Sequence, residues 1–121
     1  MGRQNPTVII ALGGNAISPK EETGTIEQQF SHTRDSLAGL KHFVRQRYNI
    51  CITHGNGPQV GAEMLRNEIS MNKIPPLPLN VLVANTQGAI GYMIQQSLQN
   101  ALYTIKSVSY THLTLPTNRE V

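Results

Sequence analysis

Two short runs of glycine and small polar residues could do chemistry in this chain. Leu12-Gly13-Gly14-Asn15 closes one apolar segment, and His54-Gly55-Asn56-Gly57-Pro58-Gln59-Val60-Gly61 follows a second, Ile50-Cys51-Ile52. Glycine lets backbone N–H groups come close to an anion and permits positive φ, and a helix starting just after it adds favourable partial charge. The pattern therefore points to anion binding, phosphate above all, where two strands end. Gly55-x-Gly57-x-x-x-Gly61 is one residue off the dinucleotide-binding spacing. No Gly-x-x-x-x-Gly-Lys occurs either, so neither common nucleotide loop is present.

Other chemistry fits less well. Cys51-x-x-His54 could be half of a zinc site, but His32, His42 and His112 supply no second half, and strand alternation points Cys51 and His54 to opposite faces. Met64, Met71 and Met93 read as core or interface filling, and Lys41, Arg45 and Arg47 as a solvated helix face.

The elements that must hold the two glycine runs are legible from periodicity. Thr7 to Leu12 is apolar and largely β-branched, which predicts a strand buried on both faces, as in a parallel sheet covered by helices. Residues 18–24 are polar and predict a loop. Thr25-x-x-Gln28 matches a capping box, after which Ile26, Phe30, Leu37, Leu40 and Val44 recur at helical spacing. That spacing predicts one helix ending near Tyr48-Asn49, with Asn49 as a left-handed cap, and a second strand over 50–53. Such a unit is a right-handed crossover between parallel strands.

Pro58 suits the first turn of the next helix, since its missing N–H costs nothing there. Val60, Met64, Leu65 and Ile69 mark that helix's apolar stripe. Pro75, Pro76 and Pro78 force an extended link, and Leu79 to Leu102 predicts one long or broken helix. The link and that helix are expected to border the ligand pocket.

Composition bounds the rest. At 121 residues the chain is one small domain or part of one. Its net charge of +3 comes from 10 basic and 7 acidic residues, and the basic ones are scattered, which argues against a nucleic-acid partner. The single cysteine, Cys51, excludes an intrachain disulfide and is expected as a buried small hydrophobe in a reducing, cytoplasmic setting. Near the N-terminus, Val8 to Leu12 is too short an apolar run for a secretory signal or a membrane span.

Taken in order, Val8 to Ala16, His54 to Gly61 and Gln87-Gly88-Ala89-Ile90-Gly91-Tyr92 resemble the amino-acid kinase superfamily and, within it, the carbamate kinase family. The resemblance covers residues 6 to 105. Other branches commonly carry lysine two positions before the glycine pair, where this chain has Ala11 as in the carbamate kinase pattern. The resemblance implies an α/β fold, a three-layer α/β/α sandwich with a mainly parallel central sheet, of which only the N-terminal part is present. It implies reversible phosphoryl transfer between ATP and carbamate, with Mg²⁺ on the nucleotide, in arginine catabolism. It also implies a cytoplasmic homodimer with small-molecule substrates, no nucleic acid and no membrane.

On this resemblance Gly13 and Gly14 bring backbone N–H groups to the transferring phosphate and Asn15 adds a neutral donor; the alternative is a tight strand-to-loop turn. Gly55, Asn56 and Gly57 hold carbamate or carbamoyl phosphate through N–H donors, and Gln59 reaches the same oxygens. Gln87 and Gly88 match a segment near the substrate, with a packed helix contact at the glycine as the alternative. No protein residue is assigned to a metal. Carbamate is already anionic and needs no base, so His54 is expected to orient the loop rather than take a proton.

Family members continue into a second half that holds most of the nucleotide and supplies lysines, so these residues alone are expected to be inactive. Residues 1–106 form the kinase-like part. Residues 107–121 are expected to be a non-native tail, because Val108 to Thr117 matches what one reading frame of a common sequencing adapter encodes. A genuine strand is the alternative, since residues 110–115 alternate. Two rival functions remain, another amino-acid kinase acting on a carboxylate and a non-catalytic anion-binding module.

Overall fold

The structure is a computed structural model that describes residues 4–104. The boundary expected at 106 and the tail expected over 107–121 lie outside the described residues. The elements run β1 (Thr7–Leu12), α1 (Gly14–Ile17), α2 (Ile26–Leu37), α3 (Leu40–Arg45), β2 (Asn49–His54), α4 (Gly57–Ser70) and α5 (Leu79–Thr104). β1 and β2 pair in parallel with no offset, from Thr7 opposite Asn49 to Leu12 opposite His54. Equal registers bring the two strands to an end at the same level, so the two glycine runs leave the sheet side by side.

One face of this sheet is packed. Leu12, Ile17, Leu37, Leu40, Ile90, Met93 and Ile94 form the core, and Ile10, Ile50 and Ile52 pack against it from the strands. The opposite face is bare among the described residues: Ile9 is 70% exposed, and Cys51 is exposed as well. Burial on both faces of β1, and a buried Cys51, are thus corrected. α2 and α5 cross one side only, and the described chain contains no element that covers the other.

The capping box forms as its spacing predicts. Thr25 Oγ1 accepts the Gln28 N–H at 3.2 Å, while Gln28 Oε1 accepts the N–H groups of Thr25 at 3.0 Å and Gly24 at 2.7 Å. Gly24 has φ +78°, a left-handed conformation that glycine adopts without steric cost. The helix expected to run unbroken to Tyr48 instead splits at Ala38-Gly39. Glycine is the weakest helix former after proline, and the break lets Leu37 and Leu40 both enter the core.

The left-handed cap falls at Arg47 (φ 58°) rather than Asn49. Tyr48 N–H donates to Phe43 O at 2.9 Å and Arg47 N–H to Val44 O at 3.1 Å, the paired bonds of a Schellman motif. The Phe43 and Tyr48 rings meet edge-on at 5.2 Å and close it. Asn49 is unavailable as a cap because it already belongs to the strand. Its N–H donates to Pro6 O at 2.8 Å and its Nδ2 to Asn5 O at 3.2 Å.

α4 begins with Pro58 in its first turn, as expected, but its apolar stripe is not buried: Ile69 is 75% exposed, and Met64 and Leu65 are exposed too. Periodicity shows that a face is apolar; it does not place a partner against it. The proline link is pinned to α4 by Asn67, whose Nδ2 donates to Leu77 O at 2.7 Å while its Oδ1 accepts Leu77 N–H at 3.1 Å. α5 is one unbroken helix of 26 residues, despite Gly88 and Gly91.

Arg47 is strained by its left-handed backbone, which costs an L-residue roughly 1–2 kcal/mol, partly offset by the greater unfolded-state entropy of glycine. Arg47→Gly is therefore expected to stabilise the chain by about 0.5–1 kcal/mol, read as a shift in urea midpoint at constant m.

Candidate functional site

The two strand ends form one corner. Gly55 N–H donates to Leu12 O at 2.9 Å, extending the strand pairing by one step. A Cβ on Gly14 would stand 2.8 Å from Pro58 Cδ, 3.3 Å from Gly57 N and 3.4 Å from Asn56 N. A Cβ on Gly55 would stand 3.2 Å from Gly14 N. The loops thus touch backbone to backbone at a separation that side chains would prevent. Gly13 and Gly57 have no such neighbour, so their glycine character is not demanded by contact.

The corner carries positive partial charge. The first N–H groups of a helix have no acceptor within it, and those of the 14-residue α4 open beside Gly14. α1 adds a single turn in which Ala16 N–H donates to Gly13 O at 3.0 Å and Ser18 N–H to Gly14 O at 2.9 Å. Among the described residues, no backbone carbonyl takes the N–H of Gly14, Asn56 or Gly57. Gly55 differs: its N–H is committed to Leu12, so its expected role as an N–H donor to the ligand is corrected. Its contribution is the close approach to Gly14.

Side chains complete or leave the corner in ways the spacing did not reveal. Asn56 occupies the N-cap position of α4 but makes no side-chain cap bond. Its Nδ2 instead donates to Thr86 Oγ1 on α5 at 2.9 Å. Asn15 is exposed beside the glycine pair. His54 is half-buried on the packed face of β2, with Nδ1 3.2 Å from Gly55 O.

Gln59, expected to reach ligand oxygens, is only 9% exposed, and neither its Oε1 nor its Nε2 has a hydrogen-bond partner. Its place in the first turn of α4 turns it inward. Gln87 and Gly88 are exposed, and a Cβ on Gly88 would meet nothing within 4 Å, so the packed helix contact considered for it is absent. The residue of that segment that reaches the corner is Thr86, which sequence reasoning missed. The signal was present: Leu82, Thr86, Ile90, Met93 and Ser97 mark one helical stripe, and a hydroxyl inside it needs a partner.

Among the described residues no group of histidine, cysteine, aspartate and glutamate side chains could hold a metal ion. No described helix is long and apolar enough to cross a membrane.

Comparison with known proteins agrees with this geometry. No family model matches the chain. It is 42% identical over 97 residues to the carbamate kinase of Pyrococcus horikoshii and 45% identical over 92 residues to that of Escherichia coli strain K12. The chain is a homologue of carbamate kinases. The matches take in 78% and 76% of the chain but 31% and 30% of those relatives, so it spans about a third of their length. A carbamate kinase structure from Giardia lamblia bound to AMP-PNP superposes with a TM-score of 0.79 at 36% identity, covering 84% of this chain and 36% of that one. A structure from Aeropyrum pernix matches with a TM-score of 0.75 at 31% identity. The fold is the α/β fold of the amino-acid kinases, in agreement with the sequence reading.

Two substitutions test the packing of the corner. Gly14→Ala is expected to cost about 1–3 kcal/mol by overpacking, whereas Gly13→Ala, with open space and φ −70°, changes stability by less than about 0.5 kcal/mol. Urea denaturation of both decides it. Gln59→Met keeps the shape but removes two unpaired polar atoms, each costing about 1–3 kcal/mol when buried alone. It is expected to raise the thermal midpoint; a lowered midpoint would show that the amide has a partner.

Proposed function

We propose that this chain supplies the anion-binding corner of a carbamate kinase, the part that holds carbamate and the phosphoryl group while both are in transit. The observation that carries this reading is the close approach of Gly14 to the backbone of Gly55, Asn56 and Gly57 and to the Pro58 ring, next to Asn56 and Gly57 N–H groups that no backbone carbonyl takes. In the reaction a carbamate oxygen attacks the γ-phosphorus of ATP, the bond to the bridging oxygen breaks, and ADP leaves. The reverse direction makes ATP from carbamoyl phosphate, the sense required in arginine catabolism.

No general base is needed, because the nucleophile is already charged. The chain's own contribution is therefore orientation, and N–H dipoles fixed before reaction where negative charge gathers. Gly13, Gly14 and Asn15 face the phosphoryl side on this reading, and Asn56 and Gly57 the carbamate side. Mg²⁺ would neutralise charge on the nucleotide phosphates and be held by them. A cytoplasmic homodimer belongs to the same reading.

Catalysis by this chain alone is not expected, because the relatives are about three times as long. Titration of the ¹⁵N-labelled chain with carbamoyl phosphate tests the reading. The amides of Gly14, Asn56 and Gly57 are expected to shift saturably and those of α3 to stay still, with N-acetylglutamate producing no such change. Equal shifts with N-acetylglutamate would favour a different amino-acid kinase. ATP formation from ADP and carbamoyl phosphate by this chain would overturn the division of labour.

A further inference from the structure

The Asn56–Thr86 bond has a consequence for the ligand that the glycine geometry alone does not supply. Asparagine is among the best N-cap residues because its side-chain oxygen accepts an N–H from the second or third helical residue. Asn56 sits at the N-cap position of α4 with φ −146° and ψ 19°; the second helical residue, Pro58, has no N–H, which leaves the Gln59 N–H as the donor to cap, yet no such bond forms. Its side chain is drawn across to α5, where Nδ2 donates to Thr86 Oγ1 at 2.9 Å and lies 3.5 Å from Val83 O.

Thr86 is built to hold it there. The residue is 5% exposed, and Oγ1 lies 2.9 Å from both Leu82 O and Val83 O, so the single hydroxyl proton is directed at the helix backbone. The oxygen is left as an acceptor only, which dictates that Asn56 presents its NH₂ group to it. An asparagine so held cannot turn its oxygen back onto its own helix.

We propose that Thr86 is a positioning residue: by holding the Asn56 side chain it keeps the Gln59 N–H, the one first-turn donor of α4 within reach of an N-cap oxygen, uncapped and open to the anionic ligand. The proposal rests on the corner being the anion site. Without the Thr86 hydroxyl, the Asn56 side chain is free to accept the Gln59 N–H, and the ligand must then compete with a built-in acceptor for that donor. Thr86 touches no ligand; it acts through Asn56.

The test uses the full 121-residue chain and carbamoyl phosphate as the probe, with the Gly57 amide followed by ¹H–¹⁵N NMR. Thr86→Val keeps the shape and loses the hydroxyl; it is expected to weaken the apparent Kd about tenfold, the scale of one net hydrogen bond. Thr86→Ser keeps the acceptor and is expected to stay within about twofold. A role in stability alone would lower the melting midpoint of Thr86→Val and leave Kd unchanged, and that result overturns the proposal. If the unsubstituted chain shows no saturable shift, the anion-site reading fails and the proposal with it; if it binds and Thr86→Val binds equally, only the proposal fails. Should Thr86→Val not fold, exchange of the Asn56 Nδ2 hydrogens in the unsubstituted chain decides. Protection that persists with carbamoyl phosphate bound supports the hold, and exchange at the solvent rate overturns it.

Discussion

The close approach of Gly14 to the segment Gly55 to Pro58 is the constraint on which the rest of the corner depends. With a virtual Cβ only 2.8 Å from Pro58 Cδ, this contact exists only because position 14 has no side chain. It joins two loops more than 40 residues apart in the chain, Gly14 and Gly55 to Pro58, and it ties the start of α4 to the end of β1. The Leu12 carbonyl fixes the second loop at the correct height by taking the Gly55 N–H. One consequence is a division of labour among glycines. Gly55 and Gly14 set distance, while the N–H groups of Asn56 and Gly57 meet no backbone carbonyl among the described residues.

α5 is the second support. Its buried stripe anchors it under the sheet through Ile90, Met93 and Ile94, and the same stripe presents Thr86 to Asn56. The helix that builds the core thereby also decides how the N-terminus of α4 is dressed. The bare sheet face at Ile9 and the open stripe at Met64, Leu65 and Ile69 belong to surfaces that the described residues do not cover. A chain spanning about a third of its relatives' length has correspondingly fewer elements with which to bury its apolar faces.

Legibility in the sequence followed the range of the interaction. The capping box at Thr25 and Gln28, the proline in the first turn of α4 and both strands are set within a few residues, and each stands where local chemistry places it. The split at Gly39 and the left-handed Arg47 depend on how Leu37, Leu40 and Phe43 meet the core, and local signals misplaced both. The candidate site divided in the same way. Gly13, Gly14 and Gly57 were visible as types that permit an N–H cradle, but the commitment of the Gly55 N–H to Leu12 O and the burial of the Gln59 amide were not.

The sequence by itself determined the two strands, their parallel pairing, the carbamate kinase relationship and the two glycine runs at the strand ends. These follow from periodicity, from turn chemistry and from residue types at short fixed spacings. Only the tertiary structure decided that Gly14 and Gly55 are in contact, that Asn56 braces against Thr86 instead of capping its own helix, and which apolar faces are covered. The physical reason is that hydrogen-bond partners and burial are set by what lies across space. A residue's capacity to donate, accept or bury is written in its type, but its partner is chosen by the register of the strands and the packing of the helices.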